Sequence, residues 1–332
     1  MVSHLQTAEA SARNLWPNAC KAAGLPKSDW RLTLLHQRND AGIAGCAMLA
    51  ESELGTKLCF KHSLRPKNSD NYQSQFTHHL KSYDSFPHLT GYAVSKPLYL
   101  DKVQQVSIYE FAKGQNLRDY LTYDSPSQKS QLEVLETAGR WLDHYHRARP
   151  TEFRRFSPTW AVNHYSEIRK SIVSGKLGVP APDLFLKGVS RIEEEATKLS
   201  GLETVACIQH GDFHMANLIW DGKILTGIDI SAGHLAPVDH DVNKFLVDYV
   251  RRFRPASDVR KGQVLPPDVR EAFFSGYTLV GPDDPTVRLF SHTQLLELWM
   301  KIPKRQKDRT KAKQLCLQQI KPIAKKAFEK SR

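Results

Sequence analysis

Between Trp30 and about Phe111 the apolar residues fall in short runs separated by turn formers, the pattern of strands half-buried on one face. It predicts strands over residues 32–35, 46–50, 57–61 and 106–111. A helix is expected over 71–83 in the same region. After Gly114 the spacing lengthens to three and four. Leu132, Leu135, Ala138, Leu142 and Tyr145 mark one face of a helix that begins near Ser127 and stops before Pro150. A second helix is predicted over 182–200, ending at Gly201, which can take a left-handed C′ conformation. The change in period puts a boundary near residues 112–116, with domains over 1–112 and 113–332. Residues 218–228 switch back to strand-like runs around Asp221-Gly222, a two-residue hairpin signal of type I′.

Length and composition sharpen this picture. The chain has 332 residues, more than one hydrophobic core usually organises, and its 40% apolar content can fill two. The five cysteines are scattered without C-x-x-C or zinc-like spacing and read as reduced, buried small residues. Residues 1–18 are polar and broken by Pro17, without the apolar core of a signal peptide, and no run of about 18 apolar residues occurs. A cytoplasmic protein without a transmembrane segment is expected. Net charge is +12, of which residues 301–332 carry +10. That stretch is either a solvated amphipathic helix, its rhythm interrupted by Pro322, or a surface for weak contact with an anionic partner, nucleic acid being the less favoured. No Walker-type G-x-x-x-x-G-K-[ST] occurs. Gly42 and Gly45 in A-G-I-A-G sit between predicted strands, as a turn that lets backbone amides approach phosphates or as a plain hairpin tip.

The chemistry concentrates in H-G-D-F-H-M-A-N-L-I-W-D-G-K-I-L-T-G-I-D, residues 210–229. Phosphoryl transfer needs little covalent help. It needs a carboxylate to orient and deprotonate the attacking hydroxyl, and oxygen ligands to hold Mg²⁺ against the phosphates. Asp212-x-x-x-x-Asn217, followed by Asp229 after a hairpin, has the order of base, amide ligand and second metal ligand that protein kinases use.

These residues resemble the signature of the aminoglycoside phosphotransferase and choline kinase-like family, in which Gly replaces the usual Arg before the catalytic Asp, as Gly211 does here. The resemblance implies an α+β, two-lobed protein-kinase-like fold with a small antiparallel β-rich N-lobe and a larger, mainly helical C-lobe. It implies an ATP- and Mg²⁺-dependent small-molecule kinase whose acceptor is a hydroxyl, with Asp212 as base and Asn217 and Asp229 on the metal. Lys61 resembles the family's phosphate-pairing lysine, with Lys57 as its substitute. Glu110, Phe111 and Ala112 resemble the hinge whose backbone binds adenine. Asp241 sits where the family has an Asp that steadies the catalytic loop, or is simply a helix N-terminal carboxylate. His146 matches a family histidine in outline but suits a core or helix-terminal role. The pattern departs from the family in one place: no Glu lies between Lys61 and Asp101, so Gln73, Gln75, His78 or His79 would have to partner the lysine. That gap keeps open a noncatalytic nucleotide-binding relative. Trp160, Tyr165, Asp248, Tyr249 and Trp299 are candidates for an acceptor pocket or for the core.

Overall fold

The computed structural model describes residues 3–40, 42–87 and 89–329. The fold is α+β, and the chain divides into two compact units, residues 1–115 with 219–233, and residues 116–218 with 234–332.

The first unit opens with α1 (Ser3–Ala22), which runs straight through Pro17. Ala12, Trp16 and Ala19 lie on one face of α1 and bury against the sheet, and this packing holds the helix across a proline that the sequence marked as a break. Then come β1 (Trp30–Asp40), β2 (Ile43–Ser52), β3 (Lys57–Arg65), α2 (Ser69–Ser85), β4 (Tyr92–Val94), β5 (Pro97–Asp101), β6 (Val106–Glu110) and the two-residue β7 (Gln115–Asn116). Five strands form an antiparallel sheet in the order β1-β2-β3-β6-β5. These strands run well past the predicted ones, β1 from Trp30 rather than 32 and β3 to Arg65 rather than 61. Ladder hydrogen bonds continue through polar residues on the solvent side, where a hydrophobic pattern gives no signal. Along β3 the side chains alternate. Leu58, Phe60 and His62 face the core, which leaves Lys61 on the opposite face, in register with Ala47 and Ser107.

The second unit is mainly helical. It holds α3 (Leu117–Asp119), α4 (Gln128–Arg147), β8 (Thr151–Arg155), α5 (Thr159–Val173), α6 (Pro182–Lys198) and β9 (Glu203–Ile208). The chain then passes through a 3₁₀ turn (Met215–Asn217) into β10 (Leu218–Trp220) and β11 (Leu225–Gly227), and returns through β12 (Leu235–Pro237) to α7 (Asp239–Phe253), α8 (Pro267–Gly276), α9 (Pro285–Met300) and α10 (Lys311–Ala327). Ser127 caps α4, its Oγ accepting from Ser130 N at 3.2 Å, and Gly201 beyond α6 has φ +80°. A small antiparallel sheet, β12-β9-β8, that the helical reading of this region did not anticipate leads into the loop at His210.

The segment 219–233 belongs with the first unit, not with the second as the division at residue 112 had it, because β11 pairs in parallel with β4, Leu225 opposite Tyr92 and Gly227 opposite Val94. Its turn is not type I′: only Gly222 has positive φ, at +95°. The Asp221 carboxylate accepts from Lys223 N at 2.8 Å and Ile224 N at 2.7 Å, and this side-chain turn widens the loop to four residues.

At the C-terminus α10 is continuous through Pro322. Leu317, Ile320, Ile323, Ala324 and Ala327 are buried while Lys311, Lys313, Lys321 and Lys325 stay exposed. Packing overrides the roughly 3 kcal/mol that an interior proline costs, and the apolar face is spent inside the fold. Among the described residues no helix is long and apolar enough to cross a membrane.

Candidate active site

The loop after β9 is built around one buried carboxylate. Asp241, in the first turn of α7 and 1% exposed, accepts from His210 N at 2.6 Å and from Gly211 N at 3.1 Å. His146 Nε2 stands 3.3 Å from the same carboxylate and His146 Nδ1 lies 2.9 Å from the Tyr277 hydroxyl. Burial opposes charge on Asp241, but His146, His210 and these hydrogen bonds outweigh it and hold its pKa below the ordinary value. Asp241 is thus both the helix N-terminal carboxylate and the clamp of the loop, and His146 is a core residue that orients the clamp.

Gly211 is required by geometry. Its φ of +81° is open only to glycine without strain, and it lets the chain turn with its amide on Asp241 and its carbonyl on Lys244 Nζ at 2.9 Å. Next to the turn, Phe213 is fully buried, stacked on Trp141 at 5.7 Å and packed on Phe245 at 5.1 Å, so the loop is fixed from below as well as behind.

Asp212, between these anchors, remains 42% exposed. Lys244 Nζ reaches Oδ1 at 2.6 Å and His214 Nε2 lies 3.3 Å from Oδ2. Asn217 Nδ2 donates to the Asp212 carbonyl at 3.0 Å and to Oδ2 at 3.2 Å. Partial burial would raise the pKa of Asp212, yet the hydrogen bonds and charges of His214 and Lys244 more than offset it and hold the carboxylate well below the usual range. Because the Asn217 amide is turned with its NH₂ to Asp212, its Oδ1 is the end left to accept, a hard oxygen of the kind magnesium takes. Lys244 and His214 had not been singled out on the sequence. The spacing from Asp241 to Lys244 puts both on one face of α7, which is the only signal that could have found the lysine.

In the first unit Lys61 forms an ion pair with Asp229 Oδ1, and its ammonium lies 5.0 Å above the Tyr109 ring. Burial presses the Lys61 pKa downward. Asp229 has φ +60°, a left-handed conformation uncommon outside glycine, and such strain gathers at functional sites. Asp229, rather than a side chain of α2, is therefore the partner of Lys61. On α2, His79 is buried with Nε2 2.7 Å from the Ser95 carbonyl, and Tyr72 reaches Ser107 Oγ at 2.8 Å.

Two other expectations need correction. Gly45 is not in a glycine turn but inside β2, where a Cβ would come within 2.8 Å of the His62 carbonyl, so it serves close strand approach at a register shift. Gly42 alone occupies the tip, with φ +89° and open space around it. At the hinge, Glu110 N donates to Lys96 O at 2.9 Å and Phe111 N to Lys57 O at 3.3 Å, so neither amide is open to a ligand and Ala112 is the first residue beyond the ladder. Of the candidate acceptor residues, Tyr165, Tyr249 and Trp299 are fully buried core and Asp248 is paired with Arg251 and Arg252. Trp160 is 48% exposed, with His164 stacked on it and His240 against its edge.

Comparison with known proteins bears on the family and the fold. The chain matches the APH phosphotransferase enzyme family over residues 75–290. No curated protein matches the sequence. Among solved structures it is similar to an amicoumacin kinase in complex with AMP-PNP, Ca²⁺ and its ligand, at 13% identity, covering 97% of this chain and 96% of that one, with TM-score 0.59. It is also similar to a macrolide 2'-phosphotransferase type I, at 13% identity, 86% and 89% coverage and TM-score 0.58. A glucosamine kinase in complex with glucosamine, ADP and inorganic phosphate is similar at 14% identity, 95% and 84% coverage and TM-score 0.55. With its fold, its loop and a match over well more than half of its length, this chain belongs to the phosphotransferase enzyme family and is a small-molecule kinase of protein-kinase-like fold.

Proposed function

We propose that this protein transfers the γ-phosphoryl group of ATP to a hydroxyl of a small molecule in a magnesium-assisted reaction, with Asp212 as the catalytic base. The observation that carries the reading is the state of Asp212, an ionised, partly exposed carboxylate on a rigid loop with Lys244 and Asn217 fixed against it. A base held so far below the usual range is poorly suited to early proton removal. It suits a loose phosphoryl transition state, where the hydroxyl is oriented first and gives up its proton late. Asp212 Oδ2 would accept the hydrogen bond of the incoming hydroxyl, and Lys244 would keep the carboxylate from rotating away.

Asn217 Oδ1 and Asp229 would hold magnesium, which neutralises phosphate charge when bound. The donor set fits a hard cation because both groups present oxygen. Lys61 would leave Asp229 for the nucleotide phosphates, and the backbone at Ala112 would meet adenine next to Glu110 and Phe111. Gly42, at the tip between β1 and β2, would be the glycine to approach phosphate.

Nucleotide binding without transfer is the competing reading, and it was motivated by the missing helix glutamate. Against it stands the Lys61–Asp229 ion pair, which gives the lysine an acidic partner other than a helix glutamate before nucleotide binds. The test is ADP formation from Mg-ATP in the presence of a panel of hydroxyl-bearing metabolites, comparing the wild type with Asp212→Asn. Turnover that disappears in the variant while ATP binding persists is the expected result, and equal turnover in both proteins overturns the assignment.

A further inference from the structure

The second unit contains a polar pocket of about 200 Å³ alongside the loop. Its lining includes Gly211, Asp241 and Lys244, the lysine whose Nζ reaches Asp212 Oδ1 at 2.6 Å. Its outer wall is one stripe of α9. Gln294, Glu297 and Lys301 follow at intervals of three and four residues and face the same space.

Three features of this wall are unusual for a packed protein. Glu297 and Lys301 are spaced i,i+4 with the acid N-terminal, the order that favours an ion pair, yet among the described residues neither side chain forms an ion pair or a hydrogen bond. Gln294 is likewise unengaged. Gln209 lines the pocket and is 2% exposed. Its Nε2 donates to the Cys207 carbonyl at 3.3 Å and the Ala236 carbonyl at 3.0 Å, which fixes the amide orientation and leaves Oε1 with no donor. A buried acceptor left unpaired is destabilising, and Oε1 is an acceptor that a ligand in this pocket could satisfy.

We propose that this pocket is the acceptor site and that its acceptor is a small hydroxylated zwitterion on the scale of an amino acid, its ammonium met by Glu297 and its carboxylate by Lys301. The inference rests on the phosphotransferase reading above and gives that reading an acceptor class. Gln209 Oε1 and Gln294 supply polar contacts to the rest of the molecule, and its hydroxyl points past Lys244 to Asp212. The volume, about 200 Å³, admits a small molecule. Charge agrees as well. With Lys244 committed to Asp212 and Asp241 to the loop amides, the carboxylate and ammonium left to a ligand are those of Glu297 and Lys301, with His234 and His240 beside them in the lining. A polycation would meet a single free carboxylate between two lysines, and an apolar acceptor would strand every one of these groups.

The test measures binding by calorimetry and phosphate transfer from Mg-ATP, using L-serine, L-threonine and L-homoserine against partners lacking one charge, N-acetyl-L-homoserine and 2-amino-1,4-butanediol, with glucosamine and kanamycin for comparison. At least one zwitterion should bind, with about tenfold or greater loss when either of its charges is removed. Glu297→Gln should cost about tenfold in affinity for the zwitterion and little for the N-acetyl compound, which has no ammonium to lose. Lys301→Gln should do the converse with the amino alcohol. A merely structural effect of either variant would weaken every ligand alike. No binding of any zwitterion, tighter binding of kanamycin or glucosamine, or variants blind to ligand charge each overturns the acceptor assignment, even if Mg-ATP is consumed. Glu297-dependent binding of a zwitterion that never receives phosphate would leave the pocket standing and remove the phosphotransferase reading beneath it.

Discussion

The two sets of candidate catalytic groups are held in different ways. Asp212 in the second unit sits in a dense frame, with Lys244, His214 and Asn217 on the carboxylate and Asp241 beneath its loop. Lys61 and Asp229 in the first unit hold mainly one another, and Asp229 does so from a left-handed backbone. The frame around Asp212 is complete within the chain. The Lys61–Asp229 pair joins two groups that are both expected to serve ligands, so it reads as a resting contact that nucleotide and metal exchange for their own. Rigidity is placed where a hydroxyl must be aimed, and exchangeability where a charged cofactor enters and leaves.

The largest effect that would break this contrast is at Asp212. Asp212→Asn keeps the shape and removes the base, and turnover should fall by about 10²–10⁴ with ATP affinity by calorimetry nearly unchanged. Next is the clamp. Asp241→Asn cannot satisfy the His210 and Gly211 amides and His146 together, and the loss of charged, buried hydrogen bonds should lower unfolding free energy by about 2–4 kcal/mol, read by denaturant titration, with turnover falling in step. A stable Asp241→Asn protein of wild-type activity would mean that the loop is not held as described.

In the first unit the effect should appear in binding rather than in stability. Lys61→Ala should raise KM for ATP by about tenfold, while the melting temperature moves by only a degree or two, because a partly exposed ion pair contributes about 1 kcal/mol or less. A large loss of stability in Lys61→Ala would make the pair structural and erase the distinction between the two sets.

A pH effect comes from Asp239, two residues before the clamp. It is fully buried, and desolvation pushes its pKa up to about 7 despite the 2.6 Å hydrogen bond from Thr286 Oγ1. A folded-state pKa above the unfolded one means that the protonated acid is favoured by folding. Its stabilising contribution is complete below about pH 4 and is lost as pH rises through about 7. Asp239→Asn should therefore flatten the decline in melting temperature between about pH 4 and 7, and a decline of wild-type steepness in the variant would exclude this carboxyl as its source. The smallest effect is expected at the C-terminal helix. Changing the exposed Lys311, Lys313 and Lys325 together to Gln should alter stability by about 0.5 kcal/mol or less and leave turnover untouched.

Much of this was legible in the sequence, for identifiable reasons. The order Asp212, Asn217, Asp229 could be read because phosphoryl transfer dictates both residue types and order, and the α4 and α6 helices could be read because their apolar periods are long. The strands were underestimated where ladders continue through polar residues, as in β1. No helix was read across Pro17, and the rhythm of α10 was taken as interrupted at Pro322, since a local rule cannot weigh the burial of Trp16 or Ile323 against a proline. His214 stood in the quoted motif without a role, while Lys244 and the pocket on α9 left no distinctive trace, because a lone lysine or glutamate in a helix looks the same whether it faces water or a candidate catalytic carboxylate.

The sequence by itself determined the family and the phosphotransfer chemistry and pointed to a candidate base, because a reaction fixes the functional groups it needs and a chain can carry them in a short, ordered motif. Tertiary structure alone decided which partner each group has. It gave Lys61 the Asp229 carboxylate instead of a helix side chain, put Gly45 in a strand rather than a phosphate turn, and closed the amides of Glu110 and Phe111. Those pairings join residues up to 168 positions apart, and contact at that range depends on the register and packing of whole elements, which no local pattern encodes.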